Sequence, residues 1–500
     1  MGIVIRQSLK SSAVAYIGVG LGVINQLFIS TKFLSPEQIG LSRILLENSI
    51  MFAAFAHIGT PFIADKFFSR FRDDDRYHHG FMVWLLAMPL VGCTLAGGLY
   101  FVFESQIINY FAERSPLLVH YHILVVPITI FWVYVIVLEA YSRNNNRVVV
   151  PTFVREVYAR IVMMILTLLF GFGWFSFDWF VYLSVAMYGS CAVVLLFYIK
   201  HLGKFYWSFE FFSTLTPRLF KEMMGYGLTI FLGGAGASVL LLIDRTMLAG
   251  QASLSAAGIF IIATYIATTI EIPRKSLTQI TIPFLTAAIK DNDWAKVQAI
   301  HQKTALHQLL AGGLVFLLIW VNINGIFALL PKGDIYNQGK TVVLLLSLAK
   351  LFDMAAGMSS EIIMYSRFFR YTTFFVLGMA ALCIAANRFL IPIYQINGAA
   401  FATAATTLVY SLTRMGFVWH KFGLIPYTTK AVQVLAIFVL VFLTVNWLPV
   451  FDGSVWPVLF SISYKSLIII VLCCIFILKL NISEEVNGLW KTAIDRYLEK

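Results

Sequence analysis

Residues 223–258 read MMGYGLTIFLGGAGASVLLLIDRTMLAGQASLSAAG, an apolar segment that is long enough to cross a bilayer and carries Asp244 and Arg245 side by side. An earlier segment, Phe28–Gly40 (FISTKFLSPEQIG), also ends an apolar run, turns at a Ser-Pro pair and resumes with a glycine. This similarity predicts a duplicated helical bundle in which 223–258 opens the second copy. Transporters built from such repeats place their working site at the repeat interface.

The composition identifies an integral membrane protein. The chain has 500 residues, of which 59% are hydrophobic and only 12% are charged, against about 25% charged in soluble proteins. Its apolar runs have the length of membrane helices, and the alternating pattern of an outer-membrane barrel is absent from the sequence. No G-x-x-x-x-G-K-S/T motif occurs, which excludes an ATP-driven pump in one chain. The five cysteines lie in apolar runs without metal-like spacing, so we expect no metal and no cofactor.

The hydropathy pattern predicts an all-α polytopic protein with about 14 transmembrane helices. A further amphipathic run, from about 276 to 303, predicts a helix on the cytoplasmic surface. The predicted spans are 12–31, 41–64, 81–103, 119–140, 152–172, 179–199, 223–249, 254–273, 304–322, 341–365, 371–390, 397–419, 431–448 and 457–478.

The distribution of lysine and arginine predicts that both termini are cytoplasmic. With the N-terminus inside, only Lys32, Arg114, Lys332 and Arg388 fall in outside loops, while most of the 37 basic residues fall in inside segments. The same bias accounts for the net charge of +12. Because these charges are spread over many short loops, nucleic-acid binding is not needed to explain them.

Several motifs resemble the polysaccharide (O-antigen-type, lipid-linked oligosaccharide) flippases of the multidrug/oligosaccharidyl-lipid/polysaccharide exporter superfamily. They are the short basic N-terminus, the glycines at 18, 20 and 22, the LSPEQIG turn at 34–40 and the HIGTP sequence at 57–61. In the second half, DRTML at 244–248, Gly258 and the Ile272-Pro273 break are similar to the seventh and eighth helices of that family.

The resemblance implies two pseudo-symmetric six-helix lobes around a central cavity, with two C-terminal helices as additions. The expected division is an N-terminal lobe (1–200), a cytoplasmic linker (201–222), a C-terminal lobe (223–421), two additional helices (422–480) and a cytoplasmic tail (481–500). Drug-exporting members of the superfamily usually have twelve helices, so fourteen favours a lipid-linked substrate.

The implied function is translocation of an undecaprenyl-diphosphate-linked oligosaccharide from the cytoplasmic to the periplasmic leaflet of a bacterial inner membrane. Lobes that rock by alternating access would supply surface polysaccharide synthesis, for O-antigen or capsule, driven by an ion gradient or the membrane potential. The implied partners are the substrate, membrane lipids and the polysaccharide polymerase and ligase machinery. No bond changes, so the protein is not expected to be an enzyme and has no catalytic residues.

Ionisable residues inside membrane helices are costly and tend to face a cavity or a partner. Arg245 is the preferred phosphate contact, because a guanidinium binds phosphate through two hydrogen bonds and keeps its charge when desolvated. Neighbouring Asp244 points in another direction on the helix. Lys350 and Asp353 lie near the middle of one predicted helix, on one face. They form either a cavity wall with an acid for ion coupling or an ion pair that satisfies only itself.

The remaining candidates allow two interpretations each. Arg43 and Glu47 have i,i+4 spacing, but they lie near the outer interface, where a long side chain reaches water easily. Arg414, in the inner part of its helix, is equally compatible with a substrate contact and a structural role. His57 is placed within a helix, as a cavity polar group or a packed histidine. The substrate-binding set is therefore Arg245, Lys350, Arg43 and Arg414, and the polar or ion-coupling set is Asp353, Asp244, Glu47 and His57.

Two other functions remain open. A cation-coupled multidrug exporter of the same fold would favour more acids than bases deep in the cavity, and here the bases are at least equal in number. A membrane-embedded polysaccharide polymerase or acyltransferase would require a large periplasmic loop or a His/Asp pair at a helix end. The longest predicted outside loops, around 104–118 and 322–340, are short for such an enzyme.

Overall fold

The computed structural model describes residues 2–73, 77–211, 215–451, 453–485 and 487–488, and every regular element in these ranges is helical. The predicted all-α polytopic membrane protein is thereby confirmed. Residues 489–500 of the predicted tail lie outside the described residues. The chain forms two compact units, Met1–Ile261 and Ile262–Lys500, whose boundary falls inside a helix. The predicted lobe boundary at 201–222 stays a prediction.

The first unit is built from helices of very different lengths. Two of its helical segments contain a π-helical turn, at Ile24–Ile29 and Val154–Tyr158. The α-helices are Gly2–Val23, Ser30–Phe33, Pro36–Ala56, Thr60–Phe71, Phe81–Val102, Glu104–Ala112, Pro116–Tyr121, Val125–Asn144, Val149–Phe153, Ala159–Gly171, Phe177–His201, Pro217–Gln251 and Leu254–Thr268, the last of which continues into the second unit.

The second unit contains the remaining helices. Its buried core includes Val434, Val441 and Ile469, which are fully buried where the last two long helices pack with Trp294–Val321. The α-helices are Ile272–Lys290, Trp294–Val321, Ile323–Leu329, Gly333–Tyr336, Lys340–Ala355, Ser359–Tyr365, Arg370–Phe422, Thr429–Asn446 and Val455–Lys479. Short 3₁₀ turns lie at Tyr77–Gly80 and His122–Leu124 in the first unit, and at Thr269–Glu271 and Asn337–Gly339 in the second unit.

The two similar sequence segments form similar helix starts. The Ser35 side chain accepts a hydrogen bond from the Gln38 N–H at 3.2 Å, and the Ser253 side chain accepts one from the Ala256 N–H at 3.0 Å. Such side-chain acceptors satisfy backbone donors that a helix leaves free at its first turn. Each serine lies five residues before a glycine.

Those two glycines allow the helices to cross at backbone contact. A methyl group on Gly40 would collide with the carbonyl oxygen of Leu254, and one on Gly258 would collide with the carbonyl oxygen of Pro36. The contact is reciprocal, as expected when two related helix starts pack against each other. This crossing gives the sequence repeat a physical reason: only a residue without a side chain fits at either position.

The described residues contain fewer uninterrupted apolar helices than the fourteen predicted spans. Among the described residues, eleven helices are long and apolar enough to cross a membrane, or twelve if Gly333–Ala355 and Ser359–Tyr365 form one span bent by 53°. The predicted span 152–172 is not among them, since Arg155, Glu156 and Arg160 crowd its first turns. The count of fourteen is therefore not confirmed.

The predicted spans 371–390 and 397–419 both fall within Arg370–Phe422, where two helices meet at a kink. The kink lies at Gln395, which has a φ of 49° and a ψ of −124°. A Cβ on Gly398 would touch the carbonyl of Leu390, whereas eight residues of a straight helix rise about 12 Å. The chain therefore bends sharply between the two predicted spans.

Three details of the sequence prediction are wrong. The amphipathic run 276–303 is not one surface helix: a helix ends at Lys290, and a new one, capped by Asp293, continues from Trp294 to Val321. The predicted helix 41–64 breaks at Gly59, whose φ is +73°. His57 consequently lies at a helix C-terminus and not within a helix.

Candidate functional site

Two groups of buried charged residues stand out, one in each unit. The Glu47 cluster comprises Arg43, Glu47, Asn48, Asp244, Arg245 and Thr246, and the Asp353 cluster comprises Arg274, Asp353, Ser360, Ser411 and Arg414. In each cluster one carboxylate lies between two arginines.

In the Glu47 cluster, the carboxylate is only 2% exposed. Its Oε1 accepts a hydrogen bond from Arg245 Nη1 and lies 3.4 Å from Arg43 Nη2. The predicted i,i+4 pair of Arg43 and Glu47 is therefore present, and Arg245 joins it from a neighbouring helix. Adjacent positions of the same two helices are also paired, since Thr246 Oγ1 donates to Asn48 Oδ1 at 2.5 Å.

Three polar atoms of the Glu47 cluster are buried without a hydrogen-bond partner. They are Arg43 Nε, Arg245 Nε and Glu47 Oε2. A buried polar group that lacks a partner costs about 1–3 kcal/mol, and more when it is charged. Two donors and one acceptor are thus available to a ligand that carries both kinds of group.

Asp244 is bonded to the backbone of the arginine that follows it. Its Oδ1 accepts from the backbone N–H of Arg245 at 2.8 Å, and the residue is 4% exposed. With Asp244 included, the cluster contains two arginines and two acids, so its formal charge is balanced. A buried charge network of this kind is stable only while every member keeps a partner.

The Asp353 cluster joins four helices of the second unit. Asp353 Oδ2 accepts from Arg274, and Oδ1 accepts from Arg414 and from the hydroxyl of Ser411. Arg414 also donates to Ser360, and its guanidinium lies 4.0 Å from the ring centre of Tyr410. Both carboxylate oxygens are thus engaged, and Arg414 is buried with a side chain only 7% exposed.

Lys350 belongs to a separate pair. Its Nζ lies 2.9 Å from Glu271 Oε1, with the two side chains 21% and 27% exposed. The interpretation of Lys350 and Asp353 as a self-satisfying ion pair is therefore wrong, although both lie on the same helix. Neighbouring helices supply better-placed partners for each.

His57 has the contacts of a packed polar residue. Its Nδ1 accepts from the Gly59 N–H at 3.0 Å, and its ring makes edge contacts with Phe62 and Phe231. The residue is 7% exposed. These contacts hold the His57 ring at the end of its helix.

Sequence reasoning missed Arg274 and Glu271, and it also missed Ser360 and Ser411. A signal was present for the first two. They flank the Ile272-Pro273 break, where the helix passes through a 3₁₀ turn. Charged residues beside a break in an apolar helix have reason to face other polar groups.

Comparison with known proteins places the chain in a family. The family model described as "Polysaccharide biosynthesis protein" matches residues 5–289. The chain therefore belongs to the polysaccharide biosynthesis protein family. No curated protein sequence matches the chain.

Solved structures share its fold at low sequence identity. The lipid II flippase MurJ in an inward closed conformation is 14% identical, with a TM-score of 0.70 over 94% of this chain and 99% of MurJ. An inward-facing multidrug resistance MATE family transporter of the MOP superfamily is 12% identical, with a TM-score of 0.63 over 83% of this chain and 98% of that one. A MOP superfamily transporter from Pyrococcus furiosus is 13% identical, with a TM-score of 0.55 over 84% and 95%. The chain thus has the MurJ and MATE fold of transporters and flippases.

Proposed function

We propose that this member of the polysaccharide biosynthesis protein family is a flippase that translocates an undecaprenyl-diphosphate-linked oligosaccharide by alternating access. The substrate moves from the cytoplasmic to the periplasmic leaflet of a bacterial inner membrane, for the synthesis of a surface polysaccharide such as O-antigen or capsule. No covalent bond forms or breaks, so the protein is a transporter and not an enzyme. The family match and the similarity to a lipid II flippase support this function.

The observation that carries the proposal is the set of unpartnered atoms in the Glu47 cluster. Arg43 Nε and Arg245 Nε are buried donors without an acceptor, and Glu47 Oε2 is a buried acceptor without a donor. A diphosphate offers acceptor oxygens to the two guanidinium groups, and the hydroxyl group of an attached sugar offers a donor to the carboxylate. One polar headgroup would therefore satisfy all three atoms.

The physics of translocation requires such partners. A bare diphosphate in hydrocarbon would lose its hydration without compensation, at a prohibitive cost. Arginine suits the task because it keeps its charge when desolvated and forms paired hydrogen bonds with phosphate oxygens. In this proposal, Arg245 is the principal phosphate contact and Arg43 is the second.

Exchange of anions gives the cluster a role in the transport cycle. In the structure, Arg245 is bound to Glu47, so a diphosphate must replace part of that ion pair. A ligand shifts a conformational equilibrium only through its different affinity for the two states. The state in which Arg245 releases Glu47 to bind phosphate is then the state that the substrate stabilises.

In the second unit, Asp353 takes a different role. Its arginines already donate hydrogen bonds to the carboxylate and to serine hydroxyls. The Asp353 cluster therefore serves to hold its helices together. We therefore propose that Arg414 holds these helices together rather than contacting the substrate. Lys350, with a partly exposed side chain, is the more accessible cation of the two.

A cation-coupled multidrug exporter is the second candidate, and the burial of Glu47 favours it. A buried carboxylate with one unpartnered oxygen could bind a proton or a metal cation. Against this function, Glu47 and Asp353 are each held by two arginines, which repel a cation and favour an anion.

The test begins with deletion of the gene. We expect lipid-linked repeat units to accumulate on the cytoplasmic side and surface polysaccharide to be lost, while precursor synthesis continues. Complementation with Arg245→Ala or Lys350→Ala, at matched expression, tests the two cations separately. Lys221→Ala is the control, because this exposed lysine belongs to neither cluster.

Two results separate the candidates. The flippase is supported if the deletion strain loses polymer and accumulates precursor, and if the Lys221→Ala protein restores the polymer while the Arg245→Ala protein does not. Normal polymer together with increased sensitivity to cationic drugs contradicts the flippase and supports the exporter.

A further inference from the structure

An apolar groove of about 780 Å³ lies on the first unit, apart from the Glu47 cluster. Its walls come from three helices, Phe81–Val102, Val125–Asn144 and Phe177–His201, and its end is closed by the linker residues Phe205, Trp207 and Phe209. The volume is in the range of small-molecule sites.

The lining is apolar except at one end. Leu90, Val193 and Phe197 are each about half exposed or more, so the groove opens to the surroundings of the helices. The hydroxyl of Tyr134, also in the lining, donates to the Leu86 carbonyl at 3.0 Å and is already engaged. Lys200 is the charged residue among the groove's lining residues, and it is exposed at the helix C-terminus.

The groove is charged at one end and apolar along the rest, as one membrane leaflet is, and its length is close to the thickness of one leaflet. Lys200 and the linker belong to a segment that the distribution of basic residues predicts to be cytoplasmic. Trp207 lies beside them, 64% exposed and stacked on Phe205, as aromatic rings do at a membrane interface. From Gly189 to Lys200 the helix rises about 16 Å, which is near half of the ~30 Å hydrocarbon thickness.

We propose that this groove binds one acyl chain of an anionic phospholipid from the cytoplasmic leaflet, with the lipid phosphate against Lys200. Charge complementarity selects the headgroup, because an ammonium group at the interface attracts an anionic lipid. The length of the groove favours an acyl chain, because a polyprenyl tail is far longer than one leaflet and would extend beyond the groove. The site is independent of the proposed transport function.

The experiment is a titration of the purified full-length protein with phosphatidylglycerol or phosphatidylcholine, followed by native mass spectrometry. We expect one phosphatidylglycerol to bind about fivefold more tightly than phosphatidylcholine, the factor expected for a single lysine beside an anionic headgroup. Lys200→Gln removes this preference, and Lys200→Arg keeps it. Lys221→Gln, a charge loss outside the groove, leaves it unchanged.

A second pair of variants tests the groove itself. Val193→Trp fills the groove from a half-exposed position and weakens both lipids, whereas Val91→Trp, at a similarly exposed position outside the lining, does not. If Val193→Trp does not fold, the lipid preference of Lys200→Gln, a change at an exposed residue, tests the proposal by itself. Equal binding of the two lipids by the unchanged protein, or a preference retained by Lys200→Gln, overturns the proposal. Displacement of phosphatidylglycerol by undecaprenyl phosphate at equal concentration assigns the groove to an isoprenoid chain and overturns the phospholipid assignment.

Discussion

In the Glu47 and Asp353 clusters one carboxylate lies between two arginines, and the two clusters differ in how completely the oxygens of that carboxylate are bonded. Asp353 uses both oxygens, toward Arg274, Arg414 and Ser411. Glu47 uses one oxygen, and its other oxygen and the Nε atoms of Arg43 and Arg245 are buried without partners.

The difference teaches that charge content alone does not identify a binding site. A fully bonded buried network stabilises a packing arrangement and gains nothing from a ligand. An incompletely bonded network carries a cost that a ligand with matching groups removes. We therefore assign binding to the Glu47 cluster and a structural role to the Asp353 cluster.

The largest effect on stability is expected for Asp353→Ala. The change leaves Arg274 and Arg414 as buried charges without their carboxylate, and removal of one member of a buried ion pair costs about 3–5 kcal/mol. Chemical denaturation in detergent, monitored by circular dichroism, measures the loss. A loss no larger than that of Glu47→Ala would contradict the distinction between the two clusters.

The next effect concerns ligand affinity and is expected for Arg245→Ala. Loss of a hydrogen bond to a charged group, about 1.5–3 kcal/mol, weakens binding of undecaprenyl diphosphate about ten- to a hundredfold. Isothermal titration of the purified protein provides the measurement. Arg414→Ala is the comparison, since it should lower stability and change affinity far less; a larger affinity loss for Arg414→Ala would reverse the assignment.

A smaller effect is expected at the helix crossing beside the Glu47 cluster. Gly40→Ala places a methyl group against the carbonyl of Leu254 and should cost about 1–3 kcal/mol of stability, as overpacking does. Gly20→Ala is the matched control, because nothing lies within 4 Å of the added methyl and the new side chain favours the helix. Equal thermal unfolding temperatures for the two variants would show that the crossing tolerates a side chain.

The smallest effect on stability is expected for Lys350→Met. The pair of Lys350 and Glu271 is partly exposed, and such pairs contribute about 0–1 kcal/mol. Thermal unfolding of the variant should therefore stay close to that of the unchanged protein. A loss as large as that of Asp353→Ala would mean that Lys350 belongs to the same network.

Much of this arrangement could be predicted from the sequence, because local patterns fix helices and their crossing points. The similarity between Phe28–Gly40 and residues 223–258 predicted a duplicated bundle, and the structure places Gly40 and Gly258 in contact. The i,i+4 spacing of Arg43 and Glu47 indicated a pair within one helix, and that pair is present.

The partners of Asp353 could not be predicted in the same way. Arg274 and Arg414 are 79 and 61 residues away along the chain, and no local period connects them. The i,i+3 spacing suggested Lys350 instead, but facing helices supply the closer partners. His57 was misplaced because hydropathy does not register a break in the backbone, here at Ile58 and Gly59, which both have a positive φ.

The most direct test of the central claim is the affinity for undecaprenyl diphosphate of the unchanged protein, Glu47→Gln and Arg245→Gln, measured side by side. Glu47→Gln keeps a hydrogen-bond acceptor and removes the anion that competes for Arg245, so the account predicts tighter binding, while Arg245→Gln binds more weakly. If both variants bind as the unchanged protein does, or if Glu47→Gln binds more weakly, the Glu47 cluster does not exchange its carboxylate for the diphosphate, and the account is wrong.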